Sequence, residues 1–192
     1  MRRKSTLALI ACLGLCSLPV LAADSIDALA NTCNNCHGVN GVSAGGAMPS
    51  IGGQPEAYLK QILMQWKTGE RAAADMNRLI KGYSDEQIAA LAKYFAAKPW
   101  VPLVQKVSPD VLAKGKAATE KCATCHGDTG GQPDDELTPR LNGQSAMYLH
   151  LELDKYRDEA FLMPHKKMVK NARKMEEGDV GIAAKFYGSQ SK

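Results

Sequence analysis

Two short segments of this chain, residues 33–37 and 122–126, share one spacing of cysteine and histidine, C-x-x-C-H. Two thiols at this spacing can form thioethers to the two vinyl groups of one haem, and the adjacent histidine is placed to bind the iron. We therefore predict two covalently bound haem c groups. The attaching cysteines would be Cys33, Cys36, Cys122 and Cys125, and the histidine ligands to iron would be His37 and His126.

The same cysteines could instead form a disulfide framework or a zinc site. A disulfide framework gives no reason for a histidine directly after both pairs. The two pairs begin at Cys33 and Cys122, much farther apart than the cysteine pairs of a zinc ribbon. A non-haem structural or metal-binding module is therefore the weakest alternative.

The first 22 residues have the features of a secretory signal peptide. A positive segment, residues 2–4, precedes an apolar stretch, residues 7–21, that is short for a membrane span. Cleavage is predicted after Ala22, with Ala23 as the next choice, and an uncleaved N-terminal anchor is the alternative. We predict a periplasmic protein.

Cleavage would also change the cysteine count and the charge. It would remove Cys12 and Cys16, so that every remaining cysteine belongs to a C-x-x-C-H motif. Three positive charges would be lost from a formal net charge of +4, leaving the mature chain nearly neutral. This balance does not imply a strongly basic face, and we expect no nucleic-acid role.

The two halves of the chain are an internal repeat at an offset of 89–92 residues. Beyond the cysteine motifs, residues 49–54 align with 139–144, and the Tyr-Leu pair 58–59 aligns with 148–149. A proline-punctuated linker separates the halves. The predicted organisation is a signal peptide at 1–22, a first domain at 23–98, a linker at 99–107 and a second domain at 108–192.

Apolar residues recur at helical spacing in both halves, and no strand pattern of any length appears. We predict an all-α chain with two haem domains. The helices are predicted at residues 25–33, 54–67, from Ser84 through Phe95, 109–122, 145–157 and 178–187.

A methionine is predicted as the second axial ligand of each iron. The remaining histidines, His150 and His165, both lie in the second half, where we interpret them as surface and loop residues. Met76 and Met168 match each other in the repeat, each 18 residues before an aromatic residue of the last helix. Met163 is the alternative in the second half, and core packing is the other role a methionine could have.

Histidine and methionine together raise the reduction potential of a haem iron and leave no open position for oxygen or peroxide. This ligand set favours electron transfer over catalysis. A dihaem peroxidase, the enzymatic alternative, would need an open or switchable iron.

Further residues are expected around the haems. The carbonyls of Pro49 and Pro139 would accept the second ring proton of each histidine, although a plain turn would also explain these prolines. A basic run around Met168 would guide a redox partner, or would simply be a solvated face. Candidate propionate contacts are Trp66, Lys67, Tyr156 and Arg157, and the run contains His165, Lys166, Lys167, Lys170, Arg173 and Lys174.

Each half resembles a class I cytochrome c, and the two together resemble the tandem dihaem proteins of the cytochrome c4 type. Residues 76–84, and residues 163–168 followed by 177–179, are similar to the cytochrome subunit of flavocytochrome c sulfide dehydrogenase. The resemblance implies two tandem class I cytochrome c domains joined by a proline-containing linker. It also implies an FAD-containing flavoprotein partner and an external electron acceptor or donor protein.

One position departs from this pattern. Such domains usually carry a glycine about seven residues before the first cysteine, where the terminal helices cross. Gly115 fits in the second half, whereas the first half has Ile26. The first helix crossing is therefore expected to be looser or shifted.

The resulting prediction is a periplasmic dihaem electron-transfer protein, the haem subunit of a flavocytochrome c sulfide dehydrogenase, that passes electrons from flavin to an external acceptor. The chain has no strand-linked G-x-G-x-x-G motif and no spare cysteine to handle sulfur, so we expect no catalytic site of its own. The alternative is a free cytochrome c4-like carrier to a terminal oxidase or reductase.

Overall fold

The computed structural model describes residues 25–192, in which every regular element is helical. The predicted signal peptide lies outside these residues. Within them no helix is both long and apolar enough to cross a membrane. The helices are α1 (Ile26–His37), α2 (Glu56–Thr68), α3 (Met76–Leu79), α4 (Asp85–Ala96), α5 (Pro109–Ala118), α6 (Glu120–His126), α7 (Ala146–Arg157), α8 (Lys166–Ala172) and α9 (Glu177–Gly188).

The first domain is built on α1, α2 and α4, which pack around a small apolar core. Ser25 caps α1 through the Ala28 N–H, and Ser84 and Gln87 form a reciprocal capping box at the start of α4. These polar caps fix where the chain enters each helix. The core residues are Ala30, Leu59, Leu91, Ala92 and Phe95.

The second domain repeats this arrangement with α5, α7 and α9. Gly115 lies where α5 meets α9, and a Cβ there would be 2.4 Å from the Cβ of Phe186. The close approach of the two helices therefore requires glycine at this position.

In the first domain the corresponding helices, α1 and α4, cross without a glycine at this position. Ala30, one turn after Ile26, is completely buried with Phe95, whereas Ile26 packs only at the edge of that core. Ile26, which stands in place of the glycine, thus lies at the edge of the core, and Ala30 supplies the buried contact on α1.

Several sequence predictions of helix extent were incomplete, and the helix predicted over 25–33 continues to His37. The helix predicted over 109–122 is interrupted at Thr119, whose hydroxyl donates to the Gly115 carbonyl at 2.8 Å, and a second helix, α6, follows. The segments after residue 75 and after residue 165, for which no helix was predicted, contain the short helices α3 and α8.

The predicted linker, residues 99–107, packs on the second domain rather than spanning open solvent. The Trp100 indole N–H donates to the Asn142 carbonyl at 3.1 Å, and the Leu103 N–H donates to the Gly143 carbonyl at 2.8 Å. The linker therefore holds the two domains at a short, defined separation.

The domains also bond to each other directly through two glutamines at equivalent repeat positions. The Gln54 side chain donates to the Arg140 carbonyl at 2.9 Å and accepts from the Arg140 N–H at 2.8 Å. The Gln144 side chain makes the same pair of bonds with the backbone of Ser50, at 2.9 and 2.8 Å. Both amides are buried, so these bonds fix the domain arrangement.

Candidate functional site

Each C-x-x-C-H motif forms the end of a helix. In α1 and in α6 the two cysteines lie one turn apart, and the histidine is the last helical residue. Gly38 and Gly127 follow, both with φ near 78°, and a Cβ at Gly38 would lie 1.9 Å from the Val42 carbonyl oxygen. The chain can leave each motif this sharply only because glycine follows the histidine.

The histidines of both motifs are held by proline carbonyls, as predicted. The distance from Nδ1 of His37 to the Pro49 oxygen is 2.9 Å, and that from Nδ1 of His126 to the Pro139 oxygen is 3.0 Å. A carbonyl oxygen only accepts, so Nδ1 carries the proton in both rings and donates it. Nε2 is then the nitrogen with a free lone pair, as an iron ligand requires.

Burial supports this protonation state. His37 is 7% exposed and His126 is 5% exposed. Burial lowers the pKa of both rings, against the smaller opposite effect of the proline carbonyls. Burial also raises the pKa of the Cys33 and Cys122 thiols. Both histidines are therefore neutral near pH 7.

A single cavity of about 1550 Å³ reaches both motifs, and its lining is mainly apolar. All four motif cysteines and both histidines line it. An apolar chamber beside paired thiols and a neutral imidazole fits a haem at each motif, because the macrocycle is large and apolar while its attachment and ligation are local.

The methionines divide into those that line this cavity and those that do not. Met76, at the start of α3, and Met168, in α8, are half-buried and line it. Met163, the alternative in the second half, is 8% exposed and packs with Tyr156 and Ala172 in a hydrophobic cluster. Met48 and Met175 also line the cavity, so the match within the repeat remains the argument for the predicted pair.

The two other histidines lie where the sequence placed them. His150 is on α7 and pairs with Asp154 at 3.2 Å, with 45% of its side chain exposed. His165 is exposed, but it also has a structural role, since its Nδ1 accepts the Met168 N–H at 3.2 Å and caps α8. The cap holds Met168 at the first turn of α8.

The candidate propionate contacts are partly engaged elsewhere. Lys67 pairs with Asp85 at 2.6 Å, and Arg157 lies 3.8 Å from Asp154. The Trp66 indole N–H donates to a backbone carbonyl at 3.4 Å. Of this group, Tyr156 alone forms a hydrogen bond across the domain boundary, with Arg71.

A buried polar cluster at that boundary was not predicted from the sequence. Arg71 forms an ion pair with Glu152, which also pairs with Lys155, and Arg71 Nη1 donates to the Tyr156 hydroxyl at 2.9 Å. Tyr58 and Tyr148 lie beside this group, and burial raises the pKa of both phenols. No sequence motif marks the cluster, because its members come from different halves and have no common spacing.

The basic run is exposed on and around α8. Lys167 Nζ lies 3.3 Å from Cys125 Sγ, so the run borders the second haem-attachment motif. Arg173 pairs with Glu159 at 3.2 Å. The run therefore forms a charged edge beside the second site.

A family model described as "Cytochrome C oxidase, cbb3-type, subunit III" matches residues 23–95, the first of the two predicted domains.

Three relatives match parts of this chain. Cytochrome c4 from Pseudomonas aeruginosa is 31% identical over 119 residues, 57% of this chain and 58% of the relative. A thiosulfate dehydrogenase electron acceptor from Stutzerimonas stutzeri is 28% identical over 76% of this chain and 72% of its own length. The cytochrome subunit of sulfide dehydrogenase from Chlorobaculum tepidum is 38% identical over 53 residues, 28% of this chain and 48% of that protein. The matched part thus spans less than two thirds of the P. aeruginosa protein.

A solved structure, reduced recombinant cytochrome c4 from Pseudomonas stutzeri, superposes with a TM-score of 0.76 at 24% identity. The superposition covers 88% of this chain and 98% of that one. The predicted fold, all-α with two tandem class I cytochrome c domains, is confirmed.

Proposed function

Since this chain is a dihaem c-type cytochrome of the cytochrome c4 type, with two covalently bound haem c groups, we propose that it transfers electrons in the periplasm. Its specific role would be the haem subunit of a flavocytochrome c sulfide dehydrogenase. It would take electrons from the flavin of an FAD-containing partner and pass them to an external acceptor protein.

The proposed site assigns four cysteines to attachment and two residues to each iron. Cys33 and Cys36 hold the first haem and Cys122 and Cys125 the second. His37 and Met76 would bind the iron in the first domain, and His126 and Met168 would bind it in the second. Bound haem would supply one-electron chemistry, while these residues would hold it in place and bind its iron.

One observation carries the electron-transfer proposal. Both histidines are buried, oriented by a proline carbonyl and directed toward one continuous cavity. A shared cavity brings the two sites close together, as electron exchange between them needs. With two protein ligands on each iron, no iron position would be open to a substrate, and sulfide chemistry would belong to the partner.

The sulfide assignment is supported by residues 76–84 and 163–168, whose sequences resemble the sulfide dehydrogenase cytochrome subunit. The relative of that name is 38% identical over 53 residues. A second candidate, a free dihaem carrier, is favoured by the S. stutzeri thiosulfate dehydrogenase electron acceptor, which matches over 72% of its length. The free carrier would deliver electrons to a terminal oxidase or reductase.

Gentle isolation of the protein from its native periplasm, followed by mass spectrometry of the intact assembly, separates these roles. We expect a stoichiometric flavoprotein and two covalent haems on this chain, and reduction of the haems when sulfide is added. A lone dihaem protein, reduced by thiosulfate only when a thiosulfate dehydrogenase is supplied, would instead establish the free carrier. A chain without covalent haem would overturn the site assignment itself.

A further inference from the structure

Arg71 belongs to the first domain by sequence, but its side chain packs on the second. It follows α2, and its guanidinium lies over the Tyr156 ring at 5.2 Å from the centroid while pairing with Glu152 on α7. The side chain is 5% exposed and lines the cavity shared by the two motifs. A buried, permanently charged group therefore lies at the boundary between the two haem sites.

Only some of the N–H donors of the Arg71 guanidinium have a hydrogen-bond partner. Of the five N–H groups of an arginine, one donates to Tyr156 and one to Glu152. Nε is buried and has no hydrogen-bond partner among residues 25–192. A buried, unpaired donor is costly, so an acceptor is expected from a group that fills the cavity.

The net charge of the cluster also indicates that an acceptor, and an anionic one, belongs in the cavity. Glu152 is shared by Arg71 and Lys155, which leaves one positive charge uncompensated. Burial raises the pKa of Tyr58, Tyr148 and Tyr156, so the neighbouring phenols are neutral and supply no anion. A carboxylate in the cavity would balance this charge, and arginine binds carboxylates with paired, charge-assisted hydrogen bonds.

Two contacts associate Arg71 with the second haem rather than the first. Its partner Tyr156 packs in the same cluster as Met168, and its neighbour Ala72 joins that cluster. The Ala72 N–H also donates to the Leu162 carbonyl of the second domain at 2.9 Å. At the repeat offset of 90 residues the second half has Phe161, so the repeat supplies no matching arginine to the first haem.

We propose that Arg71 binds a propionate of the second haem across the domain boundary and raises the reduction potential of that haem. Reduction lowers the net charge at the iron by one, and a nearby positive charge favours the reduced form. The two haems would then differ in potential because one domain supplies a positioning residue to the other. This inference rests on the proposed second site, His126 with Met168, and is independent of which partner docks.

The test is a spectroelectrochemical titration of the full dihaem protein carrying Arg71→Gln, with Arg71→Lys, Glu152→Gln and Lys114→Gln for comparison. The couple of the second haem is identified as the one that Met168→Ala displaces. If Met168→Ala displaces neither couple, the proposed second site fails, and the inference fails with it.

For Arg71→Gln we expect the ratio of reduced to oxidised second haem at a fixed electrode potential to fall about tenfold, equivalent to about 59 mV for one electron. Arg71→Lys should keep most of the wild-type ratio of reduced to oxidised second haem, because the positive charge is retained. Glu152→Gln should move the same couple upward, because it removes a negative charge. Lys114 is exposed on α5, and Lys114→Gln should move neither couple.

A merely structural role for Arg71 predicts a different pattern. Arg71→Gln and Glu152→Gln would both lower the free energy of unfolding, since each breaks the same buried ion pair. Neither would shift the potential of the second haem beyond the Lys114→Gln control. That result would overturn the inference while leaving the electron-transfer proposal and its isolation experiment intact.

Discussion

The histidines of the two motifs illustrate how far single residues could be assigned from sequence. Each motif predicts a histidine as an iron ligand, and a proline 12 or 13 residues later predicts the hydrogen-bond partner of its second nitrogen, which the structure shows. Both hydrogen bonds are present because the helix ends at the histidine and the glycine after it turns the chain back. A local pattern could predict this geometry because every residue in it is close in sequence.

Substitution of Met168 tests the predicted ligand at the same scale. Met168→Ala should remove the methionine-to-iron absorption band of one haem and lower the reduction potential of that haem, because the thioether ligand is lost. Optical titration of the purified protein measures both effects.

Met163→Ala is the matched control. Met163 is almost fully buried away from the cavity lining, so its loss should cost about 2–5 kcal/mol of unfolding free energy through the void it leaves. The methionine-to-iron absorption bands of both haems should be unchanged in Met163→Ala. The opposite pattern, with the band lost in Met163→Ala and kept in Met168→Ala, would reassign the ligand.

The contacts between side chains of the two domains could not be predicted from the sequence. Arg71 and Glu152 are 81 positions apart and have no common motif, and Phe161 takes the matching place of Arg71 in the repeat. The repeat identifies what the halves have in common and therefore hides what only one of them has. The Arg71 cluster is an asymmetric feature, and only the three-dimensional structure could reveal it.

At the scale of elements, the long helices were predicted and the short ones were not. Two turns or more of apolar periodicity, with Ser84 and Ser108 as caps, are enough to locate α4 and α5. Helices α3 and α8 have four and seven residues, too few for periodicity to be distinct. The break at Thr119 depends on a side-chain bond to the preceding turn, which the apolar pattern does not encode.

The crossing of α5 and α9 gives a prediction about packing. In Gly115→Ala the new methyl group would lie 2.4 Å from Phe186 Cβ, so the helices must separate, at a cost of about 1–3 kcal/mol. Gly178→Ala, in α9, meets no atom within 4 Å and should be neutral or stabilise by up to about 1 kcal/mol. Urea unfolding of both variants with haem attached measures the difference. Equal stability of the two variants would contradict the close crossing.

At the scale of the whole molecule, the domain interface depends on two buried glutamines. Gln144→Ala removes two hydrogen bonds to Ser50 and leaves the backbone N–H and carbonyl of Ser50 unpaired. This should lower the free energy of unfolding by about 1–3 kcal/mol. We expect the wild type to unfold in one transition and Gln144→Ala to unfold in two, because the domains lose their coupling. Gln132 is exposed, and Gln132→Ala is expected to unfold as the wild type does. An unchanged single transition in Gln144→Ala would show that other contacts set the coupling.

The basic run gives a prediction about encounter with redox partners. Lys166→Glu together with Lys170→Glu should slow oxidation of the reduced protein by the ferricyanide anion about tenfold at low ionic strength, because attraction becomes repulsion. The same variant should react faster with the cationic hexaammineruthenium(III) ion. Stopped-flow rates measure both, with Lys114→Glu on α5 as the control. If the variant reacts with both probes at the wild-type rates, this edge is excluded as the docking surface.

The reciprocal glutamine contacts have a consequence for how such a molecule could arise. Each domain uses the same side chain to bind the same backbone position of the other, which is the relation found in an isologous homodimer, where residue i meets j and j meets i. A single ancestral domain with this glutamine would have been self-complementary. The present chain keeps that two-fold contact as a covalently fused pair. After fusion each copy was free to diverge, so one half could acquire a charge, at Arg71, that a symmetric pair would have had to carry twice.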